Sequence, residues 1–457
     1  MRKEYLSNRL KDMASLSAKR EKNHHFAERL SVTTEGRGPK DDARMVACHE
    51  CGLLLRAHRA AEGYAALCPR CGAGLYAKSR RSIDYAIALH LTGLVLFIVA
   101  NAFPFITFKM EGREQTSTLI SGVLAFIEQD LWLLAVVVFA VTIAVPLIKL
   151  LATLYVLVPV RLGYRPLKAA VLFRYIELLH PWAMMEVFLL GVIVAYVKLV
   201  ELATLDLGPA LFAFAALIIV MAAGEAAIQP REIWNALGPE HGGKRPDQPI
   251  AGARQVKFVD CHSCGFVLFG DQPSHGAHCP RCEAPLHHRK VDSLTRTWAL
   301  LITATVLYIP ANVFPVMTVI SFGKGTPDTI LSGVKELIHA GMWPLALLVF
   351  FASITVPVMK ILGLSFLLIS VQRGSDWRPR DRTKLYRIIE AVGRWSMIDV
   401  FMISILIALV KLGNLATIEP GVGATSFAGV VILTMIASHS FDPRLIWDRM
   451  EIAHGRH

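Results

Sequence analysis

The eight cysteines of this sequence are arranged as four Cys-x-x-Cys pairs, with none left over. The pairs are Cys48 with Cys51, Cys68 with Cys71, Cys261 with Cys264, and Cys279 with Cys282. Two such turns together bring four thiolates to one ion in a tetrahedron, which is the usual shell of structural zinc. We therefore predict two structural zinc ions per chain, each held by the four cysteines of one half.

Other uses of the cysteines compete with zinc. Iron also accepts four thiolates, so it stays a minor alternative. Disulfides are disfavoured in a reducing cytoplasm. A thiol oxidoreductase would carry a thioredoxin-like pattern of strands and helices, which the sequence does not show around these motifs. A closed four-sulfur shell leaves no open coordination position, and we expect no enzyme activity.

A glycine follows the second cysteine in three of the four turns, at Gly52, Gly72 and Gly265. Glycine suits the left-handed backbone conformation that such turns often need. Glu283 takes this place in the fourth turn. We therefore expect the fourth turn to be looser than the other three.

The elements that carry these cysteines belong to a membrane protein. Hydrophobic residues make up 54% of the 457-residue chain and charged residues only 18%, with a mean hydropathy of +0.47. Several apolar runs have the length needed to cross about 30 Å of hydrocarbon at about 1.5 Å per residue. The pattern predicts eight membrane spans, at 85–108, 131–158, 182–203, 208–228, 296–319, 343–370, 396–415 and 421–439.

The chain repeats itself at an offset of 211 to 213 residues. CHECG returns as CHSCG, ANAFPFIT as ANVFPVMT, VPLIKLL as VPVMKIL, and QPREIW as DPRLIW. An unbroken order of matched motifs over such a period indicates a duplication. The predicted fold class is an all-α polytopic membrane protein of two tandem modules, each a small β zinc ribbon with four cysteines followed by about four transmembrane helices.

Composition divides the chain into consecutive segments. We predict a basic cytoplasmic tail at 1–43, a zinc ribbon at 44–80, a transmembrane module at 81–232, a linker at 233–256, a second zinc ribbon at 257–290, a second transmembrane module at 291–448 and a short tail at 449–457.

Basic residues gather in alternate loops, which sets the predicted orientation. Between positions 161 and 181 there are four Lys or Arg against one acid, and between 373 and 394 there are seven against three. Loops rich in Lys and Arg stay on the cytoplasmic side, so we predict that the ribbons and both termini are cytoplasmic. The net charge of +12 follows this membrane pattern, and we expect no nucleic-acid binding.

Charged residues recur at matched places inside the predicted spans. Lys149 and Lys360 each follow a proline in the second helix of their half, and Glu186 and Asp399 lie in the third helices. Because these helices run antiparallel, we expect Lys149 to pair with Glu186 and Lys360 with Asp399. Intramembrane charges usually face a bundle interior or a water-filled cavity, which makes them functional candidates.

The second half carries the larger set of polar neighbours. We predict a polar pathway lined by Lys360, Asp399, Lys411, Ser332, Thr355 and Ser404, with Lys149 and Glu186 as matched residues of the first half. The working site is expected in the second half, and the first half is expected to be mainly structural. The competing interpretation is that the charged pairs only fix helix packing.

Taken together, the paired ribbons and the motifs ANxFP, VPxxK, W-x-M-x-[ED]-VF and PRxIW resemble the paraquat-inducible protein A family of Gram-negative inner membranes. The resemblance implies a role in moving phospholipids between the inner and outer membranes. It also implies a partner, a periplasmic MCE-domain (mammalian cell entry) protein that forms a tunnel. Two alternatives stay open: an anchor for that partner that transports nothing, and a membrane thiol protein that answers redox stress.

Overall fold

The computed structural model describes residues 44–57, 64–77, 83–110, 113–199, 204–238, 241–242, 258–269, 277–321, 324–339, 341–409 and 416–448. The predicted tails at 1–43 and 449–457 and residues 243–256 of the predicted linker lie outside these ranges.

The first half begins with short strands and continues as helices. Its strands are β1 (Arg44–Ala47), β2 (Leu54–Ala57), β3 (Ala65–Leu67), β4 (Gly74–Ala77), β5 (Ile106–Met110), β6 (Arg113–Ser117) and β7 (Thr204–Leu207). Its helices are α1 (Ile83–Ala102), α2 (Ser121–Glu128), α3 (Trp132–Phe139), α4 (Val145–Arg161), α5 (Ala169–Leu179), α6 (Met185–Leu199), α7 (Pro209–Ala227) and α8 (Pro230–Leu237).

The second half repeats this order. A short strand, β8 (His241–Gly242), precedes it. Its own strands are β9 (Phe258–Asp260), β10 (Val267–Phe269), β11 (Met317–Ser321), β12 (Lys324–Asp328) and β13 (Ala416–Pro420). Its helices are α9 (Ser293–Val313), α10 (Ile330–His339), α11 (Trp343–Phe350), α12 (Val356–Gln372), α13 (Pro379–Val392), α14 (Ile398–Leu409) and α15 (Val422–Ser440), and a closing 3-10 turn covers Pro443–Ile446.

Within the described residues, eight helical segments are long and apolar enough to cross a membrane. They are α1, α3 with α4, α5 with α6, and α7 in the first half, and α9, α11 with α12, α13 with α14, and α15 in the second. Their number and order confirm the predicted fold class. The protein is a multi-pass membrane protein of two tandem modules.

The first helix of each half ends earlier than predicted. The expected span 85–108 is too long, because α1 ends at Ala102 and β5 begins at Ile106. Pro104 has no N–H to continue the helix. Asn101 closes the last turn, because its side-chain amide donates to the carbonyl four residues earlier at 2.8 Å, and Asn312 does the same in α9.

Each module carries a three-stranded antiparallel sheet beyond the end of its first helix. The strand orders are β6-β5-β7 and β12-β11-β13. Each sheet joins the end of the first membrane span of its module to the connection between the third and fourth membrane spans. A glycine is required directly after β7 and β13, because a Cβ on Gly208 would lie 2.0 Å from the Pro104 carbonyl oxygen, and one on Gly421 would lie 2.1 Å from that of Pro315.

The second membrane span of each half contains a widened turn. A π-helical turn covers Ala140–Ala144 and another covers Phe351–Thr355. Each turn ends just before a proline, at Pro146 and Pro357, whose missing N–H breaks the regular hydrogen-bond ladder. The buried lysine of each half lies three residues after its proline.

The two modules pack together through their third membrane spans, α5–α6 and α13–α14. The rings of Phe188 and Phe401 meet edge to face, with centroids 5.5 Å apart. Gly191 allows this approach, since a Cβ there would lie 3.0 Å from the Cβ of Phe401. One apolar core therefore runs across the boundary between the halves.

The ribbons cross over between the modules. The cysteines of the first ribbon pack with apolar side chains of the second module, including Leu301, Tyr386 and Trp447. The cysteines of the second ribbon pack with the first module, including Phe173 and Trp234. Chain order alone would place each ribbon with the helices that follow it.

Arginine side chains connect each ribbon to the module of the other half. Arg380 donates to the carbonyls of Arg70 and Pro69 in the first ribbon at 2.6 and 2.8 Å. Arg174 of the first module donates to the carbonyl of Cys282 in the second ribbon at 3.1 Å. Arg281 of the second ribbon donates in turn to the Trp234 carbonyl of the first module at 2.9 Å.

Candidate metal centres and buried polar clusters

Among the described residues, two groups of four buried cysteines can each hold a metal ion, with all four sulfurs within 4.8 Å of one another. The Sγ–Sγ separations include 3.5 Å between Cys48 and Cys71 and 3.6 Å between Cys264 and Cys279. These separations are far longer than the bond of about 2.05 Å in a disulfide. They lie close to the edge of about 3.8 Å that a tetrahedron of sulfurs about 2.3 Å from zinc would have.

All four Cys-x-x-Cys turns share one backbone arrangement. The amide of the first cysteine donates to a carbonyl five residues later, as from Cys48 to Leu53 at 2.9 Å and from Cys279 to Ala284 at 2.7 Å. The residue after the second cysteine is left-handed, with φ of +74° at Gly52 and +57° at Glu283. The fourth turn thus has the same backbone arrangement as the others, and its expected looseness stays a prediction.

Charged groups surround the first cluster. Glu50 sits inside the Cys48 turn and accepts from Arg387 Nε at 2.7 Å, while Arg387 also donates to the Cys71 carbonyl at 3.1 Å. Burial raises the pKa of Glu50, but hydrogen bonds from His49 and Arg387 outweigh it, and the pKa lies below its usual value. The same bond to Glu50 raises the pKa of His49. The cluster is therefore held between a fixed carboxylate and the α13 helix.

Lys149 is buried, and the structure pairs it with a residue other than the predicted one. Its Nζ forms a short ion pair with Glu225 of α7 and lies 3.0 Å from His180 Nδ1. Glu186 is exposed, whereas Met185 and Val187 beside it are buried. The expected Lys149–Glu186 pair is wrong, because Lys149 pairs with Glu225 and the Glu186 side chain is exposed.

Lys360 is also buried, and its Nζ donates to Thr434 Oγ1 of α15 at 2.8 Å. Gly393 makes room for this side chain, since a Cβ there would lie 3.2 Å from the lysine Nζ. Asp399 lies in α14, but its side chain is outside the described atoms. The predicted pair of Lys360 with Asp399 stays a prediction. Lys411 lies outside the described residues.

The structure places the three predicted hydroxyl residues in three different elements. Ser332 lies at the start of α10, where its hydroxyl accepts from the Thr329 amide at 2.8 Å and so caps the helix. Ser404 is buried against Gly122 of the first module, whose added Cβ would lie 2.5 Å from its Oγ. Thr355 is half-buried in the π-helical turn of its span.

Sequence reasoning missed three residues that the structure places around the two lysines: His180, Glu225 and Thr434. Glu225 stands within an otherwise apolar run, so an acid inside a predicted span was the available signal. His180 and Thr434 gave no such signal, because a histidine before a proline and a threonine within an apolar run are common.

These features define a class: a multi-pass membrane protein of two repeats, each with four spans and a four-cysteine cluster that can hold a metal ion. The sequence profile of the family described as "Paraquat-inducible protein A" matches residues 83–238 and 294–451. The chain belongs to this family. The two matched ranges cover the helical part of each repeat and begin after its four cysteines.

Similar proteins cover most of the chain. It is 35% identical over 417 residues to "Intermembrane transport protein PqiA" of Escherichia coli (strain K12), covering 89% of this chain and 96% of the relative. It is 31% identical over 409 residues to "Lipophilic envelope-spanning tunnel protein A" of the same strain, covering 90% and 92%. A "Probable intermembrane transport protein" of Haemophilus influenzae is 26% identical over 419 residues, covering 88% and 96%. No solved structure matches the chain.

Proposed function

We propose that this chain is the inner-membrane component of an intermembrane lipid transport system. It passes phospholipid to or from a periplasmic MCE-domain tunnel protein and so supports the outer-membrane barrier. The ribbons and both termini face the cytoplasm, and the two three-stranded sheets face the periplasm. The printed names of the relatives, which describe intermembrane transport and an envelope-spanning tunnel, support this proposal.

The observation that carries the proposal is the environment of Lys360. A buried ammonium inside an apolar bundle is costly unless it serves a charged partner. Among the side chains that the structure describes, which do not include that of Asp399, the hydrogen-bond partner of Lys360 is the neutral hydroxyl of Thr434. Such an ammonium can receive the phosphate of a lipid headgroup, and the π-helical turn of the same span supplies a place where the helix can deform.

We further propose that each four-cysteine cluster holds one zinc ion with a structural role. Burial of all eight thiols supports this proposal, because reactive thiols need access to a partner. The ribbons then join the two modules from the side opposite the sheets. Zinc bound there would crosslink the two Cys-x-x-Cys turns of a ribbon, and the four cysteines of each half would hold it.

The test is complementation of a strain that lacks this gene. Lys360→Met should fail to restore resistance to detergent and to large antibiotics while its protein level stays normal. Met359→Leu, a change at an exposed neighbour on the same helix, should restore it fully. Full restoration by Lys360→Met at normal protein level would refute the pathway and favour a non-transporting anchor.

A further inference from the structure

Three ionisable side chains of the first module meet between its helices. The Nδ1 atom of His180 lies 3.0 Å from Lys149 Nζ and 3.2 Å from Glu225 Oε2. The lysine can only donate hydrogen bonds, and the ionised carboxylate can only accept them. One imidazole nitrogen therefore stands between a donor and an acceptor.

This position gives the imidazole two states that differ at one atom. Without a proton, Nδ1 accepts a hydrogen bond from the Lys149 ammonium. With a proton, Nδ1 donates to the Glu225 carboxylate, and the ammonium keeps its own ion pair with Glu225. In the second state the ammonium can no longer donate to Nδ1 and keeps Glu225 as its partner, so each of the three groups has a hydrogen-bond partner within the cluster in both states.

The charge balance and the exposure favour proton binding at this point. The Glu225 carboxylate offsets the second positive charge that protonation adds next to Lys149. The His180 side chain is 55% exposed, whereas that of Lys149 is only 4% exposed. Because His180 is the most exposed side chain of the three, it is the group that a proton reaches first.

A second histidine lies behind this cluster. His90 of α1 is buried, and its Nδ1 bonds the Ala86 carbonyl at 2.8 Å, which leaves Nε2 as a bare acceptor. That Nε2 has no hydrogen-bond partner within the part of the chain that the structure describes. Its ring packs on Gly224, next to Glu225, and it interacts electrostatically with Glu225 and Lys149.

Other charged side chains of the first module bond to groups outside this cluster. Glu177 accepts from the Trp234 indole, and Asp84 pairs with Arg161 at the end of α4. Arg174 donates to the second ribbon. Within the described side chains, the charged and titratable groups that contact His180 are thus Lys149 and Glu225, and His90 lies behind them against Gly224.

The second module does not repeat this arrangement. Leu301, Gly393 and Ser438 stand where the first module has His90, His180 and Glu225, and only the lysine is kept. The cluster is therefore not a requirement of the shared fold. It adds titratable side chains to the first module, which is predicted from the sequence to be mainly structural.

We propose that His180, Glu225 and Lys149 form a proton-binding site in the first module, with the bare Nε2 of His90 as a second acceptor. The ligand is a proton, taken up at His180 Nδ1 and stabilised by the Glu225 carboxylate. Proton binding here is independent of whether the chain moves lipid, and it would give a transporter that lacks a nucleotide-binding motif a coupling ion.

The test is infrared difference spectroscopy of the full-length protein in lipid nanodiscs between pH 8 and pH 5. Subtracting the His180→Gln difference spectrum from that of the wild type should leave imidazole bands and a shifted carboxylate stretch. The same carboxylate feature should be lost in Glu225→Gln. His339 is an exposed histidine outside the cluster. Subtracting the difference spectrum of His339→Gln from that of the wild type should therefore leave imidazole bands without the carboxylate feature.

His180→Gly is the second variant, since glycine stands at the matched position 393 and the fold accepts it there. It should lose the same carboxylate feature as His180→Gln, with a cooperative thermal unfolding transition like that of the wild type. If folded His180→Gln and His180→Gly both keep the carboxylate feature, the proton-binding site is refuted.

Discussion

The ion pair of Arg444 with Asp260 ties the closing turn of the second module to the second ribbon. Arg444 donates from Nη1 and Nη2 to the two Asp260 oxygens, both at 2.8 Å, and from Nε to the His49 carbonyl of the first ribbon at 3.2 Å. Its side chain is 1% exposed and that of Asp260 is 10% exposed. Arg444→Gln should therefore loosen both ribbons at once.

The magnitude follows from burial. Removing one partner of a buried pair leaves the other charge uncompensated, which costs about 3–5 kcal/mol. At about 1.4 kcal/mol per factor of ten, local opening should become roughly 10²- to 10³-fold more frequent. Arg231, the matched arginine of the first module, is half-buried and stacks on Tyr76 at 4.6 Å. Arg231→Gln should cost less than Arg444→Gln, because a half-buried side chain depends less on its partners than a fully buried one; its cation–π contact usually contributes about 1 kcal/mol.

Hydrogen exchange measured by mass spectrometry is the assay. The reporting amides are those of the closing turn, such as Trp447, which donates to the Arg444 carbonyl at 2.8 Å. Adding Asp260→Asn to Arg444→Gln should recover part of the protection, because the unpaired charge is removed. If Arg444→Gln speeds exchange no more than Arg231→Gln does, the crossed ribbon contact does not hold the assembly together.

Three further outcomes follow from the structure. Cys282→Ala should lower the metal content, measured by elemental analysis, from about two zinc ions per chain to about one, because the other cluster is complete by itself; unchanged content would contradict the four-sulfur site. Gly421→Ala should lower the thermal unfolding temperature markedly, since a Cβ on Gly421 meets the Pro315 carbonyl oxygen. Gly74→Ala should hardly change it, because nothing lies within 4 Å of a Cβ on Gly74. Equal shifts would contradict the tight packing next to the β12-β11-β13 sheet. Glu225→Gln should destabilise the folded protein by about 3–5 kcal/mol by stranding the buried Lys149, and Lys149→Met in the same chain should restore much of that loss; a double variant as unstable as the single one would contradict the ion pair.

The cysteine clusters could be predicted from sequence because their chemistry is local. Two Cys-x-x-Cys turns carry their own geometry, and the structure brings the predicted sulfurs together in each half. The membrane spans could be predicted as well, because hydropathy over about 20 residues indicates a membrane crossing directly. Even the fourth turn kept its shape, because Glu283 accepts a left-handed backbone that glycine would accept more easily.

The partner of Lys149 could not be predicted, because it depends on how one helix is rotated about its axis. A 3-10 turn at His180–Trp182 precedes α6, and no periodicity in the sequence reports how that helix is rotated. Chain spacing favoured Glu186, whereas the fourth span brings Glu225 to the lysine instead. The three-stranded sheets were also missed, because strands of four or five residues next to a polar loop resemble helix ends in sequence.

The crossing of the ribbons was beyond sequence reasoning as well. It rests on contacts between residues far apart in the chain, such as Arg387 with Glu50 and Arg444 with Asp260. A charged residue in a loop does not reveal its partner by spacing. Only the folded chain shows that each ribbon packs on the helices of the other half.

Native mass spectrometry of the purified full-length protein tests the proposed lipid pathway most directly. The wild type should retain bound phospholipid through detergent exchange, and Lys360→Met should lose it. Met359→Leu, next to it on the same helix, should keep the lipid. A wild type that holds no phospholipid, or a Lys360→Met variant that holds as much as the wild type, would contradict the account.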